Sequence, residues 1–432
     1  MERKNIYVCM LAALLSCSDS VKVSRTLDEM PVIFPDYNGV VIPPNIAPLN
    51  FALNDQDAGS CAVFSFGGQQ FEVKGEKGGF VIPPSKWKKL LESAAGNSIQ
   101  VTVQVKQGNE WVAYSPFTIQ VAAEKIDSYL AYRLIDPGYE LWNKMGIYQR
   151  DLESYTQTPI IENKMSGNNC VNCHSFCMQN PDKMLFHMRE TFPGTILVDG
   201  DKIEKLNTKT RETISSLVYP SWHPSGKYVA FSVNTTKQAF HLNDKNRVEV
   251  YDEASDVVVY DVEKHEIVTA STIFSKDAFE TFPTFSPDGK TLYFCTAEAR
   301  PIPQEYSEVK YNLCSISFDP ATRTFGTQVD TLYNAKSGGM SASFPRVSPD
   351  GRYLLYTLSG YGNFSIWHKD ADLYMTDLQT GTSRSLAEVN SDDVESYHSW
   401  SSDSRWIVFS SRRMDGLYTR PFIAYIDGKG QA

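Results

Sequence analysis

The stretch Phe282-Pro-Thr-Phe-Ser-Pro-Asp-Gly-Lys-Thr-Leu-Tyr-Phe294 decides how this chain is read. An aromatic, β-prone run enters Ser-Pro-Asp-Gly, where proline presets φ and glycine accepts φ > 0, so the chain must reverse tightly. An apolar alternation follows, the mark of a second strand paired to the first. The same phrase recurs as Tyr219-Pro-Ser-Trp-His-Pro-Ser-Gly-Lys-Tyr-Val-Ala-Phe231 and as Phe344-Pro-Arg-Val-Ser-Pro-Asp-Gly-Arg-Tyr-Leu-Leu-Tyr356. Tyr397-His-Ser-Trp-Ser-Ser-Asp-Ser-Arg-Trp-Ile-Val-Phe409 is a looser copy. Starts are separated by 63, 62 and 53 residues.

After each of the first three copies comes a further strand, at Asp256 to Asp261, Asn312 to Ser317 and Asp372 to Asp377. Units of about four strands repeated in this way predict a β-propeller of about five blades over 182–432, with a degenerate first blade around Met184 to Val198. The phrase is similar to the TolB-type propeller repeat. In three copies the second position is proline (Pro220, Pro283, Pro345), and in the fourth it is His398. His398 is thereby a candidate ligand or contact residue on a loop at the channel mouth, although a tolerated polar residue is the blander alternative.

Upstream, Cys170-Val171-Asn172-Cys173-His174 has the C-x-x-C-H spacing of covalent haem attachment. Two thiols so spaced reach the two vinyl groups of a porphyrin, and the adjacent histidine is the proximal iron ligand. With eight cysteines and seven histidines the motif is expected by chance only about 0.002 times. A zinc site from Cys170, Cys173, His174 and Cys177 is an alternative, as is a structural disulfide. Met188, His187 and His398 are the candidates for the second axial position. Leu141, Met145, Tyr148 and Leu152 fall on one helical face, so a short helical segment, 124–181, is expected to carry the motif.

At the N-terminus, Arg3 and Lys4 precede an apolar stretch from Ile6 to Leu15, then Ser16 and Cys17. This is the layout of an export signal over 1–16, and Leu14-Leu15-Ser16-Cys17 resembles a bacterial lipobox that would acylate Cys17. Residues 17–30 would be the tether. Residues 31–123 alternate with period 2, notably Ile99, Val101, Val103 and Val105, and predict an immunoglobulin-like sandwich. One helix is expected at Ser85 to Glu92, with Ser85 as its cap and Trp87, Leu90 and Leu91 facing inward.

Among 432 residues, 51 are acidic and 41 basic, a net charge of −10, and no basic block interrupts that balance. Nucleic acid is therefore not an expected partner. No G-x-S-x-G elbow occurs, so serine hydrolase chemistry is not expected. The combination resembles exported TolB-like propeller lipoproteins of Bacteroidota-type bacteria with one haem c motif. That resemblance implies a lipid-anchored, periplasm-facing or outer-membrane envelope protein that docks a redox or envelope partner on its propeller, for electron transfer or redox-linked binding. A non-redox module binding an envelope protein or glycan is the alternative reading, and a periplasmic haem oxidoreductase is a third.

Overall fold

The computed structural model describes residues 21–54, 59–136, 144–210 and 213–432. Cys17 and the export signal lie outside the described residues, as does Leu141. The chain is mainly β and forms two compact units.

The first unit comprises residues up to Val40, Pro48–Ala94 and Ser98–Gln120. Its strands are β1 (Val23–Thr26) and β2 (Ile33–Phe34) and, after β3 (Val41–Ile42) of the other unit, β4 (Phe51–Leu53), β5 (Ser60–Phe66), β6 (Gln69–Lys74), β7 (Gly79–Phe80), β8 (Ser98–Gln107), β9 (Glu110–Ala113) and β10 (Phe117–Val121). The long strand β8 is the organiser, pairing β5, β9 and β10, while β2, β4 and β7 make a second sheet. Ile99, Val101, Val103 and Val105 are all fully buried, as strict alternation requires of a strand with one core face. The helix α1 spans Pro84–Ala94 and buries Trp87, Leu90 and Leu91. It opens at Pro84 and not at Ser85, because proline is preorganised for the first helical turn.

The second unit is a ring of sheets. Sheet I contains β11 (Tyr129–Ile135), β12 (Met145–Asp151) and β13 (Gln157–Glu162). Sheet II contains β14 (Cys170–Phe176), β15 (Lys183–Arg189), β16 (Gly194–Asp199) and β17 (Lys202–Leu206). Sheet III follows with β18 (Leu217–Trp222), β19 (Tyr228–Phe240), β20 (Val248–Asp261) and β21 (Glu266–Val268). Sheet IV has β22 (Ala278–Phe285), β23 (Thr291–Glu298), β24 (Asn312–Asp319) and β25 (Thr324–Tyr333). Sheet V has β26 (Ser341–Val347), β27 (Tyr353–Ser359), β28 (Asp372–Asp377) and β29 (Thr382–Ser385), and sheet VI has β30 (Glu395–Trp400), β31 (Trp406–Ser411) and β32 (Arg420–Tyr425).

Separate hydrophobic layers join neighbouring sheets. Met145 and Ile147 of sheet I pack with Val171, Met184, Phe186 and Met188 of sheet II. Leu130 and Leu152 pack with Trp406 of sheet VI, so sheet I closes the ring. The described residues therefore form six propeller sheets where the repeat alone suggested about five.

Two expectations are corrected here. Met145 and Tyr148 lie on a strand, not a helix, and Cys170–Phe176 is itself a propeller strand. The four-residue helical spacing was overridden because Met145 and Ile147, both fully buried, have a period-2 face that fits between two sheets. Asp252 is buried on β20 and accepts from Asn234 and Asn363.

A shared irregularity builds the ring's centre. Strands β14, β18, β22, β26 and β30 each carry a bulge against their partner strand, at Asn172/Ser175, Val218/Ser221, Thr281/Thr284, Ser343/Arg346 and Ser396/Ser399. At each bulge one residue takes a left-handed backbone: Cys173 (φ 51), Tyr219 (φ 50), Phe282 (φ 50), Phe344 (φ 53) and Tyr397 (φ 47). Bulges re-aim side chains, and here the aromatic members converge. Ring centroids are 4.6 Å apart for Tyr219 and Phe282, 4.0 Å for Phe282 and Phe344, and 4.7 Å for Phe344 and Tyr397. These five strands are the innermost ones.

The hairpin of β19 and β20 is far longer than its sheet needs. Its outer part reaches sheet V, where Glu249 Oε2 is 2.9 Å from His368 Nε2 and Glu249 accepts from the Tyr361 hydroxyl. Both members of the Glu249–His368 pair are almost wholly buried. The hairpin is a strap from sheet III to sheet V.

Candidate functional site

The C-x-x-C-H motif lies on the innermost strand of sheet II, with Cys173 at the position that holds an aromatic ring in sheets III to VI. Cys170 and Cys173 are unpaired and only half-buried. The other described cysteines, Cys61, Cys177, Cys295 and Cys314, are buried. Cys295 and Cys314 sit on paired strands, but the register sets Cys295 opposite Leu313 and Cys314 opposite Phe294, and the two pack into different hydrophobic layers.

Two arginines flank the thiols. Arg189 is directly opposite Cys170 in the strand register. Arg133, on β11, acts electrostatically on Cys170, His174 and Tyr397. Burial pushes the Cys170 thiol up, and Arg189 and Arg133 pull against it. Burial likewise raises the phenols of Tyr219 and Tyr397, and the Cys173 sulfur adds to both. Thiols, guanidinium groups and phenols thus share the channel wall. Tyr397 is 36% exposed despite its central position, so solvent reaches that wall.

The histidine is less ready for a metal. His174 Nε2 is 3.3 Å from the Ala131 carbonyl oxygen of β11. A carbonyl only accepts, so Nε2 carries the proton and is not the lone pair iron would need. Burial lowers the His174 pKa to about 4, against the Ala131 bond, which raises it. The imidazole is neutral at ordinary pH.

The three residues considered for the opposite face are dispersed. His187, opposite Asn172, has Nδ1 3.3 Å from Thr195 Oγ1, and burial lowers its pKa to about 4. Met188 is buried against Val171 and the Met145–Ile147 layer. His398 has Nε2 3.2 Å from the Leu355 carbonyl of sheet V, and burial lowers its pKa to about 3. None of these hydrogen bonds is to His174. Cys177 packs with Trp222 and Val229 of sheet III. Among the described residues no group of three or more His, Cys, Asp or Glu gathers to hold a metal ion.

No protein-family model matches the chain, and no curated protein matches it. Among solved structures it is similar to an oligogalacturonate lyase in complex with manganese, with TM-score 0.38 and 12% identity over 69% of this chain and 91% of that one. It is also similar to the β-propeller domain of the Trilobed protease from Pyrococcus furiosus, with TM-score 0.37 and 10% identity over 77% and 82%. Porphyromonas gingivalis dipeptidyl peptidase 4 aligns with TM-score 0.33 and 12% identity over 71% of this chain and 51% of that chain.

As a test of haem, the two halves of the motif answer differently. The thiols fit thioether attachment: they are unpaired, reachable and on a wall that includes aromatic rings. The imidazole fits iron only by exchanging its bond to Ala131 for the metal. Sequence reasoning found both thiols and the histidine but missed Arg133 and Arg189. Arg189 had a weak signal, since antiparallel pairing of two short runs sets it across from Cys170; Arg133 had none.

Proposed function

We propose that this chain is an exported, lipid-anchored envelope protein of TolB-like type that carries one covalent haem on its propeller channel wall and relays single electrons to a docked partner. The observation that carries the reading is the coincidence of the C-x-x-C-H motif with the two accessible thiols on that wall. Cys170 and Cys173 would hold the group, and His174 would be the residue offered to its iron once released from Ala131. When bound, the group supplies reversible one-electron chemistry. The chain's own residues set its surroundings. Arg133 and Arg189 place positive charge beside the thiols, where anionic substituents gain most. Burial keeps the His174 imidazole neutral down to about pH 4, so one of its two ring nitrogens stays without a proton. Cys17 is the proposed lipid anchor, and the N-terminal unit is read as an immunoglobulin-like spacer.

Production with a haem c maturation system tests this, with haem staining of a denaturing gel. The expected result is a stained band, absent when Cys170→Ser and Cys173→Ser are combined and retained in Cys177→Ser. An unstained wild-type band contradicts the proposal.

A second reading, a non-redox binding module, is favoured by one observation: His174 occupies the place of His398 and makes the same kind of backbone bond. The same gel separates the two.

A further inference from the structure

Five sheets contribute an innermost strand to the ring, and sheet I does not. Its strand β11 corresponds to the second strand of the other sheets. Ala131 and Leu355 are the third residues of β11 and β27, and their carbonyls receive His174 and His398 in the same way. Asp127, just before β11, bonds Ser402 in the turn after β30, at the end of the ring where second strands begin. Strands β11, β12 and β13 are thus the second, third and fourth strands of a blade. Among the described residues the innermost place between β30 and β14 holds no strand.

The consequence shows in burial. Strand β27 is buried at every residue, and β19 is buried through its first seven, because innermost strands cover them. Strand β11 has no fully buried residue. Tyr129, Leu134 and Ile135 are 62%, 43% and 41% exposed. Its free edge makes no ladder hydrogen bond among the described residues; one carbonyl, Ala131, is met by His174. Edges of this kind, with large apolar side chains, are normally covered.

We propose that the haem occupies this open innermost position, lying against β11 beside β14. This rests on the reading above and adds the location. One absent strand frees about 4.8 Å of ladder width, with the channel beyond it. The chemistry of the walls suits a flat apolar ring with two carboxylates. Cys170 and Cys173 stand on the adjoining strand, Ile135 offers apolar surface on the same face of β11 as Arg133, and Arg133 and Arg189 supply two cations for the two acids. A second copy's strand or a peptide would use the edge's backbone groups but would have no call on paired thiols and arginines.

Hydrogen exchange of the full-length chain, made with and without haem c maturation, tests the location. Peptides covering Tyr129–Ile135 are expected to exchange at least tenfold more slowly in the haem-bearing form, while those covering Tyr353–Ser359 stay unchanged. Covalent haem with unchanged exchange at β11 overturns the location and leaves the function standing. Slow exchange at β11 already in the haem-free chain also overturns it, since polypeptide then covers the edge. No covalent haem at all overturns both. Arg133→Gln, which leaves both thiols intact, is expected to lower the midpoint potential, and an unchanged potential removes Arg133 from the site.

Discussion

His174 and His398 stand at equivalent points of two propeller sheets, each one residue after a left-handed bulge residue, and each binds a carbonyl of the preceding sheet, Ala131 at 3.3 Å and Leu355 at 3.2 Å. Proline fills this position in the intervening three sheets, where no side-chain donor is present. The two histidines therefore tie neighbouring blades by the same device, and only His174 has a thiol pair beside it.

Replacing His398 by Ala leaves a buried carbonyl without its donor and is expected to cost about 1–3 kcal/mol in urea unfolding at pH 7.5. The folded pKa is depressed, so this group's contribution is complete above the unfolded value near 6.5 and is lost as pH falls towards about 3. His398→Gln is accordingly expected to lose less stability than wild type between pH 7.5 and 4.5. Equal losses in both proteins count against the buried neutral imidazole.

The central residues at positive φ make a second prediction. Phe282 is buried, holds φ 50 and contacts Tyr219 and Phe344. Phe282→Val removes the ring and puts a β-branched residue in a backbone that penalises it, so a loss of about 3–5 kcal/mol is expected. Phe282→Tyr, the residue found at two of the equivalent sites, is expected to cost under about 1.5 kcal/mol. Comparable losses for the two variants in thermal or denaturant unfolding would show that the bulge geometry does not matter.

Much of the propeller was legible because its turns are chemical signatures. In Ser286-Pro287-Asp288-Gly289 the serine hydroxyl bonds Asp288, and Asp288 accepts from the Lys290 amide, a pattern repeated at Ser348 and Asp350. The second sheet was expected as a degenerate blade around Met184 to Val198, but its innermost strand hid because its copy is disguised. Cys173-His174-Ser175-Phe176 matches Tyr397-His398-Ser399-Trp400, but a thiol replaces the ring and a longer turn through Met178 and Gln179, both left-handed, replaces Ser-Pro-Asp-Gly. Read alone, those residues signal haem; read in register, they are also a blade strand. Sheet I carried no phrase at all, since the phrase belongs to innermost and second strands and sheet I has no innermost strand among the described residues. Its place was set by tertiary packing of Met145, Ile147, Leu130 and Leu152, which periodicity does not encode.

Glu280 supplies a pH test. It is 2% exposed, one carboxylate oxygen has no partner, and burial, reinforced by Asp256, raises its pKa to about 8. A raised folded pKa means that the contribution is complete below the unfolded value near 4.5 and is lost as pH climbs through about 8. Glu280→Gln is expected to be more stable than wild type by about 2–4 kcal/mol at pH 9 and nearly equal at pH 5. Melting curves at the two pH values check this; a constant difference would refute the protonated carboxyl.

The strap rests on Glu249 and His368, both almost wholly buried. Removing one partner strands the other, so Glu249→Ala is expected to cost about 3–5 kcal/mol and to open the hairpin tip, 241–247, to protease. Adding His368→Ala should recover part of that loss, because the stranded partner is gone. Strictly additive losses would mean that the two side chains do not act as a pair.

The central claim is that a haem is attached through Cys170 and Cys173. The most direct measurement is the pyridine haemochrome spectrum of the full chain purified after haem c maturation, taken after acid–acetone extraction has removed every non-covalent haem. The account predicts one haem per chain with the spectrum of two saturated thioether links, falling to a single-link spectrum in Cys170→Ser. A chain that emerges without haem absorbance, its two thiols free or joined to each other, would contradict it.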